Sequence, residues 1–281
     1  MQGLQNAGGL ARLAALTMFG CVVLSGGPRA ATLDEIKASG HMVVATEDDF
    51  RPFEFVEDGK PTGFDNEMLA LFRKTVPFEV QQQIIPWTGL LPGVTTGKYD
   101  LAVTAAIVTK DRLKSLDFTM PIADATAYYA KRKADDSIKS IADLNGKTVG
   151  VQAGSALLEN LPQLQTMLDK TGGKIGKIVQ YTSYPEAYQD LALKRVDYVV
   201  NTLISLNSLV TSKPDVFAVG QAVAAPSGPA WAVKKGNTEV LAVMNKFLED
   251  QKASGNLAKV QIKWFGQSFP NLPDNPEMLV H

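Results

Sequence analysis

The chain has 281 residues, of which 45% are hydrophobic and 20% charged. That is the make-up of a soluble globular protein long enough for two ordinary domains. The formal net charge is −1, from 28 basic and 29 acidic residues with no basic run, which argues against a nucleic-acid binder working through phosphate contacts.

Residues 1–30 contain no acid and two arginines, Arg12 and Arg29. An apolar run, LAALTMFGCVVL, covers residues 13–24 and is too short to cross a bilayer as a mature helix. Small and turn residues follow (SGGPRAAT), then a polar start, LDEIK. The pattern predicts a secretory signal peptide over residues 1–30, cleaved near Ala30 or Ala31, and a periplasmic mature protein. A membrane anchor is the competing reading. Cys21, the only cysteine, leaves with this segment, so the mature protein has no thiol or disulfide. Removing two of the 28 basic residues leaves 26 against 29 acids, a net charge of −3.

HMVVAT (41–46) predicts a strand, and TEDDFRPFEF (46–55) then sets three acids beside three phenylalanines on one short stretch. GFDNEMLALFRKT (63–75) places Phe64, Met68, Leu71 and Phe72 on one helical face. TGLLPGVTTGK leads into a second apolar strand, YDLAVTA (99–105). KTVGVQ (147–152) predicts another strand, and SALLENLPQLQTMLDK a helix interrupted by Pro162. PEAYQDLALKR (185–195) runs into VDYVVN (196–201), and two amphipathic helices close the chain. This alternation predicts α/β folding with mainly parallel sheets. LLPGVTTGKYDLAVT and YQDLALKRVDYVVN also echo one another as helix, basic residue, Asp and apolar strand. The echo puts Thr104 and Asn201 at equivalent strand ends, which in two similar lobes would face a shared crevice. Chance similarity between two helix–strand units is the other explanation.

The mature chain resembles the polar amino acid-binding branch, family 3, of ABC-transporter periplasmic solute-binding proteins. The resemblance is carried by VVATEDDFRPFEF, GKPTGFDNEMLALF, PWTGLLPGVTTGKYDLAVTAAIVTKDRLKSLDFTMP, IADLNGKTVGVQAGS and IKWFG, which cover nearly all of residues 33–266. It implies a two-lobed α/β periplasmic binding protein fold with two crossover segments, near residues 123–128 and 219–229. Lobe 1 would comprise residues 31–125 and 226–281, and lobe 2 residues 126–225. It also implies a monomer that captures an amino acid or derivative with a carboxylate and delivers it to membrane permease subunits.

The resemblance further implies a ligand-binding set. Glu47 would meet the ligand ammonium, since a carboxylate in a partly dry cleft pairs more strongly than in water. Phe50 and Trp87 would cover the ligand, with Tyr128 closing the box, while Phe53 and Phe55 read as core and Asp48 and Asp49 as solvated. Thr104, Ala105 and Ile107 would present small, hydroxyl or backbone groups. Arg112, three residues past Thr109, would clamp the carboxylate with a two-pronged hydrogen bond. Gln152, Ser155 and Ala156 would come from the second lobe, with Ser155 capping a helix whose positive end faces the carboxylate.

Two departures from the family pattern stand out. Ile107 holds a position where relatives carry a hydroxyl. Asn201 and Thr202 are uncharged where relatives place an aspartate for the ammonium. Either the ligand nitrogen is unusual or its charge rests on Glu47 alone.

Two other classes stay open: a dehydratase-like enzyme acting on cyclohexadienyl or arogenate-type substrates on the same fold, and a sensory ligand-binding protein. With His41 before a strand and His281 at the end of the chain, no catalytic triad, metal cluster or cofactor motif is visible.

Overall fold

The computed structural model describes residues 30–280; residues 1–29 of the expected signal segment, with Cys21, lie outside them. The first half contributes strands β1 (His41–Glu47), β2 (Asp49–Phe50), β3 (Glu54–Glu57), β4 (Lys60–Thr62), β5 (Glu79–Ile85), β6 (Leu101–Ile107) and β7 (Leu116–Phe118). Then follow β8 (Ala127–Arg132), β9 (Val149–Gln152), β10 (Ile178–Tyr181), β11 (Tyr198–Thr202), β12 (Phe217–Ala222) and β13 (Pro229–Lys234).

They form two five-stranded sheets, ordered β5-β1-β6-β13-β7 and β10-β9-β11-β8-β12, plus a small sheet of β2, β3 and β4. In the first large sheet β1 is parallel to β5 and β6, while β13 is antiparallel to β6 and β7. In the second, β9 is parallel to β10 and β11, while β8 is antiparallel to β11 and β12. One strand in each sheet is therefore reversed, and it is the strand that arrives from the other sheet. The chain leaves the first sheet after β7, builds β8 to β12, and returns at β13. Thr104 in β6 and Asn201 in β11 hold matching central strands, so the internal echo reflects two lobes of one plan.

The strands expected from apolar runs are present. The apolar runs do not announce β2 to β5, β7, β8, β10, β12 or β13. β5, for example, has the sequence EVQQQII and lies at a sheet edge, where little apolar signal is needed. Pro162 does split its helix, into Ala156–Glu159 and Leu161–Asp169.

In the first lobe Phe53 and Phe55 are core residues, as expected. Phe53 packs on Phe265 at 4.9 Å, and Phe265 on Phe64 at 4.7 Å. Gly63 makes that junction possible. Its φ is +109°, and a Cβ there would sit 2.4 Å from the Phe53 carbonyl oxygen, so both backbone and space demand glycine.

Two acids lie in this core. Glu54 and Asp65 are fully buried. Thr104 Oγ1 donates to Glu54 Oε1, and Trp231 Nε1 donates to Asp65 Oδ1 at 2.6 Å. Glu54 Oε2 and Asp65 Oδ2 face no donor, and one proton between the two carboxyls gives each the other as partner. Burial and then the neighbouring Asp65 push Glu54 well above the usual carboxyl range. Burial pushes Asp65 up to about 6. The native state thus holds protons that the unfolded chain has released, so stability falls as pH rises from the ordinary carboxyl values near 4 to above 6. Half-buried acids held low, such as Asp143 and Asp190, act only below their ordinary value of 3.8 and do not fill this window. Urea unfolding should therefore show a higher midpoint at pH 5 than at pH 8. Glu54→Gln, whose amide N–H replaces the acid proton, should narrow the difference, and the remainder belongs to Glu47, which burial raises to about 8. Equal midpoints at both pH values in the parent would refute the shared proton.

Candidate functional site

The carboxyl ends of β1, β6, β9 and β11 are Glu47, Ile107, Gln152 and Thr202. Open α/β sheets place ligands beyond such ends. Here the ends of the two sheets face one another around a cavity of about 20 Å3. Nine predicted residues line it: Glu47, Phe50, Trp87, Ala105, Ile107 and Arg112 from one side, Gln152, Ser155 and Ala156 from the other. Leu157 and Tyr184 complete the lining.

The charged groups already bridge the seam. Gln152 Nε2 donates to Glu47 Oε1 at 2.6 Å. Arg112 Nη1 donates to the Ile107 carbonyl at 2.7 Å, and Nη2 to the Gly154 carbonyl of the opposite lobe at 3.3 Å. The Arg112 guanidinium carbon lies 5.1 Å from the Trp87 ring centroid, within cation–π range. Burial lowers Arg112 to about 10, so it stays charged at neutral pH. Burial raises Glu47 to about 8, against the Gln152 hydrogen bond, which lowers it. In this closed arrangement Glu47 holds a proton until a cation replaces it.

Four predicted residues are elsewhere. Thr104 does not reach the cavity. Ala105 and Ile107 do, and strand pleating turns Thr104 to the opposite face, where its hydroxyl meets Glu54. Thr202 caps the helix Leu203–Ser212, its Oγ1 accepting from Ser205 N at 3.2 Å. Asn201 donates to Tyr188 Oη at 2.7 Å and accepts from Thr202 N at 2.7 Å; it lines a separate, larger cavity instead. Tyr128, opposite Asn201 across the β8–β11 ladder, is also absent from the small cavity's lining. The expected helix end at Ser155 belongs to a four-residue helix, too short for a substantial dipole. The Ser155 hydroxyl is occupied, donating to the Gln152 carbonyl at 2.8 Å and accepting from Leu158 N at 3.2 Å.

Tyr184 was missed. Its side chain is buried, and its ring lies 5.7 Å from Phe50. The repeat between lobes could have found it. Trp87 opens a helix directly after β5, and Tyr184 opens one shortly after β10; β5 and β10 hold matching places in the two sheets.

The sequence profile of the bacterial extracellular solute-binding proteins, family 3, matches residues 42–267. The L-cystine-binding protein TcyJ of Escherichia coli (strain K12) is 28% identical over 236 residues, covering 83% of this chain and 86% of that protein. An ancestral arginine-binding protein solved with arginine bound superposes with a TM-score of 0.72 at 33% identity, over 81% of this chain and 99% of that one. An ancestral amino acid-binding protein, a precursor of cyclohexadienyl dehydratase, gives a TM-score of 0.74 at 30% identity, over 84% of this chain and 100% of that one. With a matching profile over most of its length and the same two-lobed architecture, the chain belongs to family 3 of the bacterial extracellular solute-binding proteins.

Proposed function

We propose that this protein is the periplasmic substrate-binding protein of an ABC importer, capturing an amino acid or amino-acid-derived solute and delivering it to permease subunits as a monomer. Residues 31–125 with 226–281 act as one lobe and 126–225 as the other, after removal of a signal peptide ending near residue 30. The observation that carries the reading is the meeting, across the seam, of Arg112 and Glu47 from one sheet with Gln152, Ser155 and the Gly154 backbone from the other. A buried, always-charged guanidinium fits a carboxylate, and a buried acid fits an ammonium. These are the two constant groups of an amino acid.

The cystine-binding and arginine-binding relatives act on ligands of this class. The dehydratase precursor among the similar structures is itself an amino acid-binding protein, and this chain works by capture rather than turnover. The cavity is about 20 Å3, room for about one water, so a ligand enters only when the lobes part and is then enclosed by hinge closure. A thermal-shift screen of amino acids and their conjugates tests this. A ligand at 100 times its Kd should stabilise by about 2.7 kcal/mol, with compaction in solution scattering. No shift with any amino-acid compound, or turnover of prephenate-like substrates, would overturn the reading.

A further inference from the structure

Beyond the small cavity lies a chamber of about 390 Å3, a size that suits a small-molecule ligand. The two spaces share Phe50 and Tyr184 as walls. These rings are 5.7 Å apart and tilted by 30°, and one comes from each lobe. The partition is therefore a seam that opens with the lobes, which joins both spaces into one cleft. Room for the body of a ligand exists only on the far side, because the Arg112 end has almost none.

The chamber has apolar walls from Phe50, Tyr184, Pro185 and Leu209, and set among them are hydroxyls and both signs of charge. Ser205, Ser208 and Ser212 share a face of the helix Leu203–Ser212 by their i, i+3, i+7 spacing. Tyr188 Oη accepts from Asn201 and keeps its own proton to donate. Asp49 and Arg51 line the chamber from one lobe and Lys213 from the other. Arg51 pairs with Asp49 at 3.6 Å and with Glu57 at 3.1 Å, and all three side chains are substantially exposed, so these are weak pairings that a ligand can part. Lys213 has no ion-pair partner among the described residues.

We propose that the two spaces are halves of one site and that its ligand is a double-headed amino acid. One head is held at Arg112 and Glu47, and the connecting chain passes between Phe50 and Tyr184. The second head sits in the chamber, its ammonium toward Asp49 and its carboxylate toward Lys213 and Arg51. This rests on the amino-acid reading above and narrows its ligand class. A purely cationic head would meet Arg51 and Lys213, and a purely anionic one Asp49. An apolar tail would leave the Ser208 hydroxyl and the Lys213 ammonium without partners.

Calorimetry on the mature chain tests the inference, with L-cystine and L-cystathionine as double-headed probes and L-methionine and L-arginine as single-headed ones. Double-headed probes should bind about 100-fold or more tighter than L-methionine, as expected for two or more added charge-assisted hydrogen bonds. The surface variant Lys213→Ala should reduce the ratio of cystathionine to methionine affinity by about 10-fold. Ser208→Trp, which fills the chamber, should reduce it further, with an unchanged unfolding midpoint showing that it folds. L-arginine binding more tightly than either double-headed probe, or an unaltered ratio in Lys213→Ala, overturns the double-headed ligand while leaving amino-acid capture in place. Failure of all four probes and of the wider amino-acid screen removes both.

Discussion

Arg112→Ala should remove most ligand affinity, by roughly 30- to 5,000-fold, because truncating one partner of a buried charge pair typically costs about 2–5 kcal/mol. The geometry explains why the loss should be large. Arg112 is 8% exposed, and two of its N–H groups are fixed by the Ile107 and Gly154 carbonyls. The guanidinium is thus held in place before a ligand arrives, with donors left for a carboxylate. Trp87 covers one face at 5.1 Å. The variant keeps the cost of drying the ligand carboxylate and loses the compensating charge. Arg112→Lys should also weaken binding, since an ammonium can satisfy neither the planar fork nor the backbone contacts together. Titration calorimetry decides it, and unchanged affinity in Arg112→Ala would remove the clamp from the mechanism.

Trp231→Ala should be the most damaging change to stability. Trp231 is fully buried, stacks on Phe247 at 6.3 Å and donates to Asp65 at 2.6 Å. Emptying such a site typically costs about 3–5 kcal/mol. Leaving Asp65 without its donor adds about 1–3 kcal/mol. Against a typical total of about 5–15 kcal/mol, the variant should be largely unfolded or strongly destabilised at 37 °C. Trp231→Phe retains most of the packing and loses the hydrogen bond, so it should fall between the two in denaturant titration. A loss below about 1 kcal/mol in the alanine variant would show that the first lobe does not depend on this anchor.

The strands that carry the site were legible because each contains a short apolar run. The family resemblance pointed to Glu47, Arg112 and Gln152 before any geometry was known, and all three line the small cavity. The misplaced residues share a cause. Thr104 and Ala105 are neighbours on one strand, so they cannot both face a ligand, and the pleat decided for Ala105. Thr202 was read as a missing charge, yet its hydroxyl starts a helix. Tyr184 was hidden because β10, which precedes it, is four residues long and carries little apolar pattern. The larger chamber could not be read at all, since it is made by bringing Asp49 and Lys213 together from distant parts of the chain.

The two reversed strands also set an order in which the molecule can be finished. All five strands of the second large sheet come from the continuous stretch 127–222. The first large sheet is interrupted: β7 is joined to it only through β13, and the Asp65–Trp231 bond spans 166 residues. Closing so long a loop costs entropy before any contact repays it, and contacts distant in sequence form slowly. As the chain is synthesised from its amino end, the middle can therefore fold while the beginning waits for β13 and the helix Asn256–Phe265. The lobe that is made first is the last to be completed.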